Sequence, residues 1–419
     1  MSQSVVPAVR RVVLRDYKSI RECDVSLGPL AILVGPNGSG KSNFLDALRF
    51  VSDSLRTSVN TAVADRGEVL ELLRRTRERA TTFSIELSLA VPEGEAQYQL
   101  TIGEVYRLFV IETEACWVST RGAGREGYRV RNGRIEEATI QNPPPASDHE
   151  LYLRSVATYP QFQAVRDLLH GMRFYHIDPA KVRIDASQGQ PARELASDGQ
   201  GSLFAYHRLQ ANPEAKQRLE AYLRAILPSL REIKVATDRM DVGLLHGTSI
   251  RKGTQPAERE EPTSLTFVIN DDGHRLAFRP RSISDGTLRA FGVLLALFQS
   301  HGRGPSEPIS LVGIEEPELT LHPAAAGVLF DALTEASQLT QILVTTHSAE
   351  LLDIKELDPD ALLVVDAPQG ETRIGPADDA SLSAMRNRMY TAGELMEMNQ
   401  LLPQPRPTGG SPAPAAGAP

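Results

Sequence analysis

Eight consecutive residues, Gly35 to Ser42, read GPNGSGKS and satisfy the pattern GxxxxGK[ST]. Residue types at this spacing suit the binding of a polyphosphate. Glycines at 35, 38 and 40 allow backbone conformations that turn successive N–H groups inward around phosphate oxygens. Lys41 supplies a point charge for the β- and γ-phosphates, and the Ser42 hydroxyl is placed to ligate Mg2+. Pro36, Asn37, Ser39 and Asn43 complete the stretch expected to line a nucleotide. Such a loop needs elements that hold it. Leu30 to Val34 (LAILV) is an apolar run of the buried-strand type, and Asn43 to Val51 carries apolar residues at helical spacing. A strand, a glycine-rich loop and a helix N-terminus make an anion site from backbone geometry and helix dipole together.

The 419 residues are 41% hydrophobic and 23% charged, as in a globular protein with a substantial core. A formal charge of -8 argues against coating nucleic acid through overall positive charge, while leaving room for a local basic patch. Two cysteines, Cys23 and Cys116, are too few for a disulfide framework or a cysteine-rich metal site. No segment reaches the roughly 18 consecutive apolar residues of a membrane span, and no signal-peptide core is present. A cytoplasmic protein is expected.

Arg11 to Leu14 and Cys23 to Leu27 read as short strands around DYKSI, Asp16 to Ile20. Ser52 to Ala80 is helical and ends in an arginine cluster, Arg74, Arg75, Arg77 and Arg79. The period then changes to two, with Phe83, Ile85, Leu87 and Leu89 alternating with polar residues, as do Tyr98, Leu100 and Ile102. Asn132-Gly133 suits a tight hairpin turn. This predicts an antiparallel sheet packed beside the phosphate-binding core. QNPPPAS, Gln141 to Ser147, is a connector. Helical stretches follow at Asp148 to Met172 and Leu203 to Leu227, with a strand at Phe174. Residues 231 to 280 return to strand patterns, including a hairpin through Asp272-Gly273, and Val364 to Ile374 is a late hairpin. No run sustains heptads. Beyond Leu402 the Pro/Ala/Gly-rich tail has little to bury and is expected to be disordered.

The N-terminal fifty residues, DYKSI followed by LGPLAILVGPNGSGKSNFLDALRF, resemble the RecF, SMC and OLD-like group of ATPases, whose heads are of the ABC type. The resemblance implies an α/β fold: a P-loop core with a mainly parallel sheet, an antiparallel β subdomain and a helical insertion. It divides an ATPase domain of residues 1–402 into a P-loop part (1–51), inserted subdomains (52–280) and a downstream part (281–402). Three later segments match the order the group requires. Ile283 to Thr287 (ISDGT) stands where the ABC signature stands, so Ser284 and Gly286 would touch the γ-phosphate held by another subunit. Asp285 and Thr287 depart from the commonest form. ISLVGIEEPELTLHP, Ile309 to Pro323, resembles a Walker B strand. There Glu315 would orient the Mg2+ shell with Ser42, and Glu316 would polarise the attacking water. Glutamate at 315 replaces the more usual aspartate. Glu318 to Pro323 would lie near a dimer interface. QILVTTHSAELLD, Gln341 to Asp353, carries His347 as the switch histidine. Its separation from Glu316, 347 − 316 = 31 residues, leaves room for a helix returning to an adjacent parallel strand.

Lys41, Glu316 and His347 are therefore the expected catalytic residues of an ATP-hydrolysing, ATP-sandwiched homodimer that uses Mg2+. The resemblance further implies DNA repair or defence against foreign DNA with a separate nuclease or effector. The segment after His347 holds no acidic constellation of nuclease type. Arg74 to Arg79, with Arg121, Arg125, Arg129, Arg131 and Arg134, are the candidates for a DNA-facing surface, and a solvated basic patch is the competing reading. An ATP-gated clamp or scaffold with negligible hydrolysis shares every motif with the ATPase reading. A P-loop kinase is disfavoured because it needs neither the signature nor the late histidine.

Overall fold

A computed structural model of the chain describes residues 7–75, 80–92, 94–120, 122, 124–184, 192–240, 259–271, 274–299, 308–354 and 356–405. Arg77, Arg79, Arg121, the Asp272-Gly273 turn and residues 406–419 of the tail lie outside the described residues.

A six-stranded sheet forms the core, in the spatial order Arg373–Gly375, Leu362–Asp366, Leu30–Val34, Gln341–Thr346, Leu311–Glu315, Met172–Tyr175. All neighbours are parallel except the first pair, the late hairpin. The strands are short and almost wholly buried because both faces are covered, which explains why they read as continuous apolar runs. Alternate residues divide between two cores. Leu33, Leu311, Leu343 and Leu363 face one hydrophobic cluster, which includes the helix Lys41–Arg56. Ile32, Val34, Val312, Ile314, Ile342 and Val344 face the other, under the helices Asp285–Phe298 and Ala326–Ser337.

The second large sheet has seven antiparallel strands in the order Ile20–Ser26, Ala8–Tyr17, Thr82–Val91, Gly94–Val105, Leu108–Thr120, Gly124–Arg131, Arg134–Ala138. It is not wholly an insertion after residue 52, since the two strands that precede the P-loop complete it. The expected turn at Asn132-Gly133 is present, with both residues at positive φ between the paired Arg131 and Arg134. Gln341 joins the two sheets. Its Nε2 donates to the carbonyls of Val9 (2.8 Å) and Gly28 (2.9 Å), and its Oε1 accepts from the Val9 N–H (2.9 Å).

The stretch after Ser52 is less continuously helical than its pattern predicts, breaking into Val59–Ala64 and Val69–Leu72. Leu203 to Leu227 likewise divides at Asn212-Pro213, where Asn212 caps the second helix, Pro213–Ile226. A third sheet, Leu230–Met240, Arg259–Asp271 and His274–Phe278, leads to the helix that opens at Asp285. Ordered chain runs past the expected boundary at Leu402: Pro403 bridges Ala377, and the Gln404 N–H donates to the Pro376 carbonyl (2.8 Å). Among the described residues, no helix is long and apolar enough to cross a membrane.

Candidate functional site

Strand register decides which side chains meet. Val34 pairs with Thr346, and Glu315 pairs with Thr345, so Gly35, Glu316 and His347 all emerge just beyond the carboxyl ends of neighbouring parallel strands. This edge is where open α/β sheets bind ligands.

The loop is tight for stated reasons. A Cβ on Gly35 would fall 2.0 Å from the Val365 carbonyl oxygen, so this position is closed to any side chain. Gly40 has φ +104° and a Cβ there would lie 2.1 Å from Thr372 Oγ1, which excludes other residues on conformation and space together. Thr372 braces the loop by donating to the Ser39 carbonyl (2.7 Å) while bonded to Ser19 Oγ (2.6 Å). Asn43, expected to line the nucleotide, points its amide to Ser19 Oγ (2.7 Å). Pro36, Asn37 and Gly38 form the exposed crest.

Lys41 is buried and folds back over the loop, donating to the carbonyls of Gly35 (2.7 Å) and Pro36 (3.0 Å). Burial pushes its ammonium below the ordinary lysine range, opposed by the charges of Glu316, Glu318 and Glu315. Ser42 Oγ donates to Glu315 Oε2 at 2.5 Å. Two hard oxygen donors converging in this way fit Mg2+.

Glu316 takes a left-handed conformation (φ +44°), uncommon for a residue with a side chain, and its N–H is held by the Thr345 carbonyl (3.0 Å). The turn sends its carboxylate to His347, whose Nδ1 lies 3.1 Å from Glu316 Oε1. The 31-residue interval contains the expected helix, Ala326–Ser337, between parallel strands. Next to this pair, Thr346 Oγ1 donates to Glu318 Oε1 (2.5 Å) and accepts the Ser348 N–H (3.0 Å). Burial pushes the Glu318 carboxyl up, and the Thr346 bond opposes that shift.

Lys41, Ser42, Glu315, Glu316 and His347 are thus brought together. Ser284 and Gly286 are not: Ser284 caps its own helix by accepting the Thr287 N–H (3.3 Å), and Gly286 packs on the Thr320 carbonyl. Among the described residues, no hydrogen bond links either to Gly35–Asn43. Sequence reasoning missed Thr346, Thr372 and Arg289. Arg289 sits in an apolar helix, is 4% exposed, and has its charge disfavoured by burial against the pull of Glu316, Asp178 and Glu318. His176 and Asp178 serve backbone roles: the His176 N–H donates to the Ser197 carbonyl, and Asp178 caps the helix Pro179–Val182.

Several of the candidate DNA-facing arginines already have local partners. Arg74 pairs with Asp16 (2.6 Å), Arg75 with Glu71, and Arg131 with Glu136 (3.6 Å). Arg125 stacks over Trp117 at 4.6 Å from the ring centre.

Solved structures of similar fold include an SMC head bound to the C-terminal winged-helix domain of ScpA, at 13% identity and a TM-score of 0.54, covering 88% of this chain and 96% of that one. Another is the Pyrococcus furiosus Smc head domain with an extended coiled coil, bound to the C-terminal domain of ScpA. It is 12% identical with a TM-score of 0.53, over 91% of this chain and 99% of that one. Residues 30–353, from the strand before the loop to the helix after His347, match the family described as "AAA domain, putative AbiEii toxin, Type IV TA system", and the chain belongs to that family of P-loop ATPase domains.

Proposed function

We propose that the chain binds ATP at Gly35–Asn43 and hydrolyses it by in-line attack of water, in a site completed by Ser284 and Gly286 of a second copy. The observation that carries this reading is the convergence of Ser42 on Glu315 and of His347 on Glu316 at one sheet edge, beside the Lys41 ammonium. Lys41 exchanges the carbonyls of Gly35 and Pro36 for phosphate oxygens. Glu316 accepts the water proton, and His347, bonded to that carboxylate, fixes its direction. Ser42 and Glu315 would hold Mg2+, which would supply charge neutralisation at the phosphates. Dimerisation is supported by the resemblance of Ile283 to Thr287 to an ABC signature, whose Ser284 and Gly286 make, among the described residues, no hydrogen bond to the loop of their own chain.

The role proposed is in defence, which the family description, "putative AbiEii toxin, Type IV TA system", supports; action through a separate effector belongs to the proposal alone. DNA itself is the less favoured ligand, given the carboxylates already paired with Arg74, Arg75 and Arg131. An ATP-gated clamp is the second reading, favoured by the engagement of Lys41 and Glu316 with protein groups. Phosphate release with and without DNA, and mass by light scattering for wild type and Glu316→Gln with ATP and Mg2+, test both. Steady release abolished in Glu316→Gln, with a dimer trapped by ATP, is the expected result. A wild type that dimerises without releasing phosphate favours the clamp, and a monomer indifferent to ATP sinks the dimer.

A further inference from the structure

The helix Asp285–Phe298 touches the segment that follows Glu316 at its first turn. A Cβ on Gly286 would stand 2.7 Å from the Thr320 carbonyl oxygen. Arg289, three residues on, shares that face of the helix. Among the described residues, its Nε and Nη1 are buried without a hydrogen-bond partner. Glu318 Oε2 is likewise buried with no partner among the described residues, although Glu318 Oε1 holds Thr346 and through it the backbone beside His347. Glu316, Asp178 and Glu318 are the carboxylates whose charges act on the guanidinium.

Leaving such groups unsatisfied costs about 1–3 kcal/mol apiece, more when they are charged. A core selected only for stability would replace them with apolar side chains. Their presence on the helix that packs against Thr320 and on the segment that follows Glu316 calls for a role in the reaction.

We propose that Arg289 is a positioning residue with two seats: on Glu316, where it withholds that carboxylate, and on Glu318, where it frees Glu316 for water and tightens the backbone around His347. This rests on the ATPase reading above. The helix that carries Arg289 also carries Ser284 and Gly286. Nucleotide held by the partner copy therefore acts on Arg289, and the readiness of Glu316 in one subunit depends on occupancy of the other site. No bond is made or broken in the switch; only the partner of the guanidinium changes.

The test is ATP turnover against ATP concentration for wild type, Arg289→Met, Glu318→Gln and the double variant. Arg289→Met is expected to lower kcat about tenfold or more with KM within about twofold, because the guanidinium does not bind substrate in its own subunit. A Hill coefficient above unity in the wild type falls to unity, and the double variant is no slower than the slower single one. Should Arg289→Met fail to fold, Arg289→Lys, which keeps the charge without the planar fork, is expected to give a reduced kcat in a folded protein. Unchanged kcat in the folded Arg289 variant, a non-cooperative wild type, or multiplicative losses in the double variant overturns the proposal alone. A wild type with no turnover overturns the ATPase reading as well.

Discussion

Glu114 in the antiparallel sheet and Glu318 beside the parallel one are both carboxylates held away from water, and the fold treats them differently. Glu114 accepts from the hydroxyls of Tyr128 (2.9 Å) and Tyr98 (3.2 Å), from the Leu153 N–H (3.0 Å) and from the Tyr152 N–H. It thereby caps the start of the helix Tyr152–Val156 from a neighbouring strand. Among the described residues, Glu318 keeps one oxygen without a partner and Arg289 keeps two nitrogens so. Saturated hydrogen bonding marks a group that fixes a structure; incomplete bonding beside a site marks a group with a second arrangement to reach.

That contrast can be broken experimentally. The largest effect is expected for Glu316→Gln, which should lower phosphate release about 10²–10⁴-fold while leaving the thermal midpoint near that of the wild type. Midpoint and turnover falling together would place Glu316 with the structural groups. Glu114→Ala should do the reverse, costing roughly 3–5 kcal/mol in urea unfolding because two hydroxyls and two amides lose their acceptor. Any protein that remains folded should retain its KM for ATP.

Acidity sharpens the comparison. Burial lifts the Glu114 carboxyl from its ordinary 4.5 to about 7, outweighing the four donors that favour its charged form. The folded state then binds a proton that the unfolded chain has released between those values. The stability due to that proton is complete below pH 4.5 and is lost as pH rises through 7, up to about 3 kcal/mol in all. Urea midpoints measured between pH 5 and 8 should fall with rising pH, less so in a Glu114→Gln background. A midpoint that rises over this range would show the carboxylate to be charged in the fold. The smallest effect is expected for Thr372→Val, about 1 kcal/mol for the lost bonds to Ser39 and Ser19, with weaker ATP binding by equilibrium dialysis.

The parts of the site that local backbone chemistry dictates were legible in the sequence. Leu30–Val34, the glycine loop and the helix after it form one contiguous strand, turn and helix, and Glu315, Glu316 and His347 each close an apolar strand run. What sequence could not supply was pairing between distant segments. Thr372 reaches Ser39 across 333 residues, and no motif announces it. Arg289 is the one basic residue in a helix whose pattern after its first turn speaks of core. Glu114 did leave a signal, since it shares strand parity with the buried Cys116 and Val118. A register shift between Thr101 and Ile102 moves Ile111 to that same inward face and disguises the parity.

The bond from Gln341 to Val9, spanning 332 residues, bears on how the protein is made. The seven-stranded sheet needs only residues up to Ala138, and most of its strands pair with a sequence neighbour. The strand Leu30–Val34 instead lies between Gln341–Thr346 and Leu362–Asp366. On the ribosome, its backbone edges find no native partner until Gln341–Thr346 and Leu362–Asp366 are synthesised, a delay that favours chaperone engagement and slow, non-local folding. The glycine loop is thus translated well before the strands that hold it in shape.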